Sequence, residues 1–156
     1  MTPDVIRLGP DDLTAFRAMM TLFADAFEDP EKYNRAPRSD EEARVLLSKD
    51  HVIALAVMSD NHCLGGLLAY VLDKPEQPCA EVYLYDLAVA DSHRRQGIAT
   101  ALIEALKAPA RAAGAEVIFV QADYVDPPAI ALYTKLGARE EVLHFDISVA
   151  PAAPRA

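Results

Sequence analysis

The spacing of apolar residues divides the chain into a helical beginning and a strand-rich middle. Asp4 to Leu8 reads as a short strand. Beyond it, Leu13, Phe16, Met20, Phe23 and Phe27 recur at steps of three and four residues. That spacing lays one apolar stripe along a helix, whose start is marked by Pro10 and the acidic pair Asp11 and Asp12. "EDPEKYNRAPRSD" interrupts the stripe, and its prolines and scattered charges predict a loop long enough to carry function. "SDEEARVLLSKD" predicts a second, short helix with Ser39 as its cap and acids in its first turn.

The period then changes. "HVIALAVMSD" and "HCLGGLLAYVLD" are β-rich runs joined by the turn "SDNH", which predicts a hairpin. "KPEQP" breaks the chain again, and "AEVYLYDLAVA" is the next strand. A helix follows from about Gly97 to Ala113; Pro109 is expected to kink or shorten its last part, and Gly114 to end it. "AEVIFVQAD" predicts another strand, and "DPPAIALYTKLG" a helix with prolines in its first turn and Gly137 at its end. "AREEVLHFDISV" predicts a last strand, and the tail "VAPAAPRA" is expected to fray. The order is β, α, α, β, β, β, α, β, α, β. Three consecutive strands imply an antiparallel meander, and the strand–helix–strand unit from Glu81 to Asp123 requires a parallel pair with a right-handed crossover. The fold class is α/β (α+β): a mixed sheet, mostly antiparallel, with helices on both faces. One domain is expected over residues 1–150.

Composition narrows the function. The 156 residues carry a formal net charge of −9, which argues against nucleic-acid binding and is compatible with a cationic substrate. No apolar run is long enough to span a bilayer, and the start has no basic segment leading into an apolar core, so a cytoplasmic protein is expected. Cys63 and Cys79 are too few for a disulfide framework, and neither they nor His51, His62, His93 and His144 show metal-ligand spacing. No metal is expected.

Within this acidic chain, "DSHRRQGIATAL" concentrates cations where a strand passes into a helix. The first turn of a helix has unpaired N–H groups and a partial positive charge, and a glycine there lets a phosphate approach the backbone. Arg94, Arg95, Gln96, Gly97, Ile98, Ala99 and Thr100 therefore form a candidate pyrophosphate cradle. The patterns of a P-loop and of a dinucleotide-binding fold are both absent.

Arg94, Gly97 and Ala99 fill the positions of the Arg/Gln-x-x-Gly-x-Gly/Ala pattern, and the stretch resembles the acetyl-coenzyme A motif of the GNAT superfamily of N-acetyltransferases. "DPPAIALYTKLG" is similar to a second GNAT pattern through Ala129, Leu132, Tyr133, Lys135 and Gly137, with Asp126 where the family often has Asn. "YLYDLAVADSHRRQGIATALI", "FVQADYVDPPAIALYTKLG" and "REEVLHFDI" closely resemble type I aminoglycoside 3-N-acetyltransferases, the gentamicin-modifying branch.

The resemblance implies a GNAT fold with a central, splayed parallel strand pair. It also implies acetyl transfer from acetyl-CoA to the 3-amino group of a 2-deoxystreptamine aminoglycoside, conferring resistance, and a homodimer. By the same resemblance Leu87, Ala88 and Val89 offer main chain to the pantetheine arm, Tyr133 protonates the leaving thiolate, and Glu81 is a candidate base. At the end of a strand, Asp123 and Asp126 are placed to meet a substrate ammonium, with Asp126 a second candidate base. Tyr83 shares a strand face with Glu81, and Asp146 and the acids of the 28–31 loop are candidates for the far side of a polycationic substrate. No nucleophile–base constellation stands out, so direct attack without an acyl-enzyme is expected. Three alternatives remain open: a GNAT enzyme acting on a polyamine, a peptide N-terminus or another small amine; a non-catalytic CoA-binding sensor domain; and an interaction domain whose basic turn only caps a helix.

Overall fold

The computed structural model describes residues 2–150. They divide into two compact units, one reaching to Gln121 and the other beginning at Ala122. The tail expected to fray lies, beyond Ala150, outside the described residues.

In the first unit the strands are β1 (Ile6–Arg7), β2 (Val52–Ser59), β3 (His62–Asp73), β4 (Ala80–Val89) and β5 (Ala115–Val120). They form one sheet in the order β1-β2-β3-β4-β5. The first four are antiparallel to their neighbours, and β4 and β5 are parallel. β2 and β3 make the expected hairpin, with Asp60 at φ 51° in its turn. The helices are α1 (Leu13–Ala26), α2 (Pro30–Asn34), α3 (Asp40–Leu47) and α4 (Ile98–Ala112), and α5 (Pro127–Leu136) belongs to the second unit.

Adjacent glycines on β3 show why both faces of the sheet are covered so closely. Successive strand residues point to opposite faces. A Cβ on Gly66 would come within 2.6 Å of Met19 in α1, and one on Gly65 would collide with Ile98 in α4. The α1 face buries Phe16, Met19 and Phe23 against Val52, Ala54, Leu68 and Ala88. The other helix, α4, buries Leu102 and Leu106 completely.

Local chemistry accounts for the element ends. Ser39 caps α3, as the sequence predicts, and Glu42 completes a reciprocal capping box with it. The expected loop at 28–40 instead contains α2. There the Asp29 carboxylate accepts the Lys32 N–H at 3.1 Å and Pro30 presets the first turn. α4 runs through Pro109 to Ala112, and Gly114 follows it at φ 77°. The segment "AREEVLHFDISV" forms no strand: its apolar residues are exposed and no ladder includes them. The parallel pair therefore closes one end of the described sheet, with β5 its last strand.

Candidate active site

β4 carries the feature around which the site is built. Its ladder with β5 ends at Leu84 opposite Val120, although β4 itself continues to Val89. At that point the register with β3 also shifts: Leu84 opposes Ala69 and Asp86 opposes Leu68, leaving Tyr85 as an extra residue. Such a bulge bends a strand and changes the face on which later side chains emerge. Before it, Tyr83 lies opposite Tyr70 on the α1 face; after it, Asp86 and Ala88 occupy that same face. Unbroken alternation would have sent Asp86 to the α4 face.

The result is a carboxylate among tyrosines. Tyr85 meets both Tyr70 and Tyr83 edge-on, with ring centroids 5.6 and 5.5 Å apart. The Tyr83 ring stacks on Phe119 at 4.8 Å, and its hydroxyl donates to Gln121 Oε1 at 2.7 Å. Burial pushes the Asp86 carboxyl above the usual aspartate range, with the Lys32 ammonium opposing the shift. Burial and then the Asp86 charge push the Tyr33 phenol up to about 12. Tyr70 is raised by the same two causes in the same order. Tyr83 is raised by burial, then by Tyr85 and Asp86. A half-buried carboxylate beside a cluster of tyrosines suits an organic ammonium, which could gain a charge partner and cation–π contact together.

After the bulge come Leu87, Ala88 and Val89, paired with β3 but not with β5, so their main chain on that side has no strand partner among the described residues. The chain then makes a single 3-10 turn, Asp91–His93, and enters α4. Gly97 is the N-cap, at φ 83°, and no side chain caps the helix. α2, α3 and α5 each have a side-chain cap, whereas α1, like α4, has none. The first N–H groups of α4, from Ile98, Ala99 and Thr100, are thus left for an external acceptor. Arg94 bridges to Asp91 at 2.8 Å, and Gln96 donates to the Ser92 carbonyl at 3.3 Å, so these two residues brace the turn. Arg95 sits at φ 63° with no ion pair among the described residues. An uncapped, glycine-led helix end following an unpaired strand edge fits acetyl-CoA: the helix end for its phosphates, the edge for its amides.

The remaining predicted residues are carried by other parts of the chain. Glu81 shares the α1 face with Tyr83 but lies near the start of β4, where Lys74 approaches it at 3.4 Å. In the second unit, Asp126 is the N-cap of α5 and its Oδ1 accepts the Ala129 N–H at 3.1 Å. Tyr133 stands on the same helix, and burial, followed by the Asp126 charge, pushes its phenol up to about 12. Asp123 is exposed and its carbonyl accepts the Asp126 N–H. Asp146 is exposed and lies 3.0 Å from His144 Nε2. Of the acids at 28–31, Asp29 caps α2, and Glu31 lies 3.9 Å from Arg35. Asp86 was missed by the sequence reading; the one available signal was an acid inside the apolar run "YLYDLAV".

Among the described residues no group of His, Cys, Asp and Glu is placed to hold a metal ion, and no helix is long and apolar enough to cross a membrane.

A site of this kind suits a transferase that grips a long anionic donor and draws a proton from a cationic acceptor. Comparison with known proteins gives that class its family. The model of the acetyltransferase (GNAT) family matches residues 16–138. An aminoglycoside acetyltransferase from an uncultured soil metagenomic sample is 52% identical, with a TM-score of 0.91 over 96% of this chain and 100% of that one. A second from such a sample, solved in complex with sisomicin, is 32% identical, with a TM-score of 0.86 over 96% and 97% of the two chains. An aminoglycoside N-acetyltransferase in complex with CoA shares the fold at 19% identity, with a TM-score of 0.71 over 94% and 100%. No curated protein sequence matches. The chain belongs to the GNAT family of N-acetyltransferases, which use acetyl-CoA as the acetyl donor.

Proposed function

We propose that this enzyme acetylates the 3-amino group of a 2-deoxystreptamine aminoglycoside of the gentamicin type, in the cytoplasm, and so confers resistance to it. The observation that carries the reading is Asp86, a half-buried carboxylate with a raised pKa on the α1 face of the sheet, close enough to Tyr33, Tyr70 and Tyr83 for its charge to raise their phenols. Its surroundings suit a substrate bearing several ammonium groups, as does the net charge of −9. The likeness to two soil aminoglycoside acetyltransferases supports the same substrate class.

When bound, acetyl-CoA supplies an activated thioester. The residues around it have separate tasks. The main chain of Leu87, Ala88 and Val89 and the first turn of α4 hold the donor, with Arg95 free to meet a phosphate. An ammonium has no lone pair, so the acceptor must first lose a proton. Asp86 takes that proton and is left as a neutral carboxylic acid, and its raised pKa makes it a stronger base than an exposed aspartate. The free amine then attacks the thioester carbon directly. Tyr133 keeps its phenolic proton at neutral pH and donates it to the departing thiolate. Asp126 and Glu81, the candidates raised by the sequence, are secondary here: one caps a helix and the other is paired with Lys74. Asp123, Tyr83 and Asp146 remain candidate contacts to substrate. The two units act as one acetyltransferase domain, and the enzyme works as a homodimer.

A thiol-release assay with acetyl-CoA tests this reading against gentamicin, sisomicin, kanamycin, spermine and a peptide N-terminus. Turnover of gentamicin, with NMR locating the acetyl group on the 3-amine, is the expected result. Preference for spermine would replace the substrate class, and binding of acetyl-CoA without turnover of any amine would indicate a sensor.

A further inference from the structure

One residue of α1 holds a distant stretch of chain by two hydrogen bonds. Arg17 Nη2 donates to the Arg38 carbonyl at 2.7 Å and to Asp40 Oδ1 at 3.0 Å. Among the described residues no other hydrogen bond or ion pair joins α1 to the chain beyond Asp29. Arg38 and Asp40 flank Ser39, the N-cap of α3, so the guanidinium pins the point where residues 35–39 pass into α3. The Arg17 side chain is 37% exposed and that of Asp40 66%. An ion pair so exposed contributes little to stability. One nitrogen that holds a backbone carbonyl and a carboxylate together does something different: it fixes where the backbone runs.

What it fixes is one wall of the acceptor site. α2 has 5 residues, none of them buried, and a helix that short has no stability of its own. Its place therefore depends on what holds it on either side. On one side Asp29 caps it, and its Tyr33 ring lies 6.3 Å from that of Phe27, just past the end of α1. On the other side the chain is held by Arg17. Between these two anchors, three side chains act on the sheet. Tyr33 packs against the same core cluster as Tyr70, and burial and then the Asp86 charge raise its phenol. Burial raises the Asp86 carboxyl, and the Lys32 ammonium opposes the shift. Burial and then the Asp86 charge raise the Tyr70 phenol, and the Arg38 guanidinium opposes that shift. The stretch 32–38 thus brings two cations and a phenol to Asp86 and Tyr70. All of these residues belong to the unit that ends at Gln121.

We infer that Arg17 is a positioning residue for the amine acceptor: through Arg38 and Asp40 it sets where Lys32, Tyr33 and Arg38 stand beside Asp86. With this clamp open, α2 and the residues after it no longer keep one place, and the amine meets a wider, less ordered site. The donor is unaffected, because the clamp acts on the α1 face, whereas α4, which begins at the proposed cradle, packs on the other. The inference rests on the reading of Asp86 as the acceptor site, but it does not require the acceptor to be gentamicin.

Steady-state kinetics on the full-length chain, with calorimetry of CoA binding, tests it. The acceptor is whichever of gentamicin, sisomicin, kanamycin, spermine and a peptide N-terminus the wild type acetylates. Arg17→Met keeps the aliphatic stem and removes the donors. It should raise the KM for the amine about 10-fold, the scale of one charge-assisted hydrogen bond, and leave kcat and the Kd for CoA nearly unchanged. Arg17→Lys, which keeps a charged donor, should recover part of the loss. Asp40→Ala should do less than Arg17→Met, since the Arg38 carbonyl is still held; added to Arg17→Met it should do nothing further, because both act through one contact. An unaltered KM for the amine in Arg17→Met, with the wild type active, overturns the inference alone. So does an equal loss of CoA affinity, or a loss that Arg17→Lys does not recover. Should Arg17→Met fail to fold, Asp40→Ala decides by the same split. Turnover of spermine in place of gentamicin would replace the substrate class and leave this test intact. A wild type that acetylates no amine would overturn the reading of the site, and the inference with it.

Discussion

Gly65 of β3 lies directly against Ile98, the first residue of α4: a Cβ on the glycine would collide with Cγ2 of the isoleucine. Ile98 follows Gly97, the uncapped N-cap that leads the anion-binding turn. One missing methyl group on a core strand thus sets where α4, and with it the proposed cofactor cradle, begins. Gly65→Ala is expected to push the start of α4 outward, costing about 1–3 kcal/mol of stability through overpacking. It should also raise the KM for acetyl-CoA. Urea unfolding and steady-state kinetics measure the two effects; a variant unchanged in both would show that α4 is not held in place by this contact.

Asp86 is expected to be needed as an anion. Asp86→Asn should lower kcat/KM for the amine at least about 100-fold, the smaller end of what general-base catalysis contributes. In the wild type, kcat/KM should fall as pH drops through the raised pKa of Asp86, since the protonated form cannot accept a proton. Stability has the opposite sign. A carboxyl whose pKa is raised by folding stabilises the native state fully below its unfolded pKa, and that contribution is lost as pH rises through the folded value. The Asn variant should therefore lose activity without losing stability at neutral pH. A variant that melts well below the wild type would indicate a structural role instead.

Tyr133→Phe is expected to reduce kcat and leave the KM for acetyl-CoA nearly unchanged, because a proton donor acts on the leaving group and not on binding. With its phenol pushed up to about 12, Tyr133 remains protonated through mildly alkaline solution, so it should contribute no alkaline limb to the pH profile below that range. Full activity in Tyr133→Phe would assign the protonation of the thiolate to another group.

The cap and the charge of Asp126 are separable. Asparagine keeps an oxygen for the Ala129 N–H, whereas alanine removes it. Asp126→Ala should cost about 1 kcal/mol, and Asp126→Asn much less. If the charge also meets substrate, Asp126→Asn will weaken aminoglycoside turnover more than acetyl-CoA binding; unaltered kinetics would leave Asp126 with the cap alone.

Burial pushes the Cys63 thiol up to about 11, so it is an unreactive thiol at neutral pH. An aromatic disulfide reagent should titrate at most Cys79 in the native protein and both cysteines in denaturant. Rapid labelling of two thiols under native conditions would contradict the packing around Gly65, whose carbonyl accepts the Cys63 S–H at 3.3 Å.

Much of this was legible in the order of residues. The hairpin, the cap at Ser39, the helices after Gly97 and Asp126, and the strand–glycine–helix turn follow from local periods and from the chemistry of caps, which need only near neighbours. α2 was hidden because a helix of 5 residues has too few turns to show a period. The last strand was predicted from a true alternation, but alternation states only that a segment wants one face buried, not which edge receives it. The proposed base, Asp86, was hidden for a related reason. By strict period, Asp86 belongs on the face opposite Tyr83. Only the bulge at Tyr85, fixed by how β4 pairs with β3 while parting from β5, turns it into the tyrosine-lined site. The sequence by itself determined the glycine-led helix end proposed as the cradle, because a helix end and its glycine are local. Tertiary structure alone decided the carboxylate, because the face on which a strand residue emerges depends on the register of its neighbours.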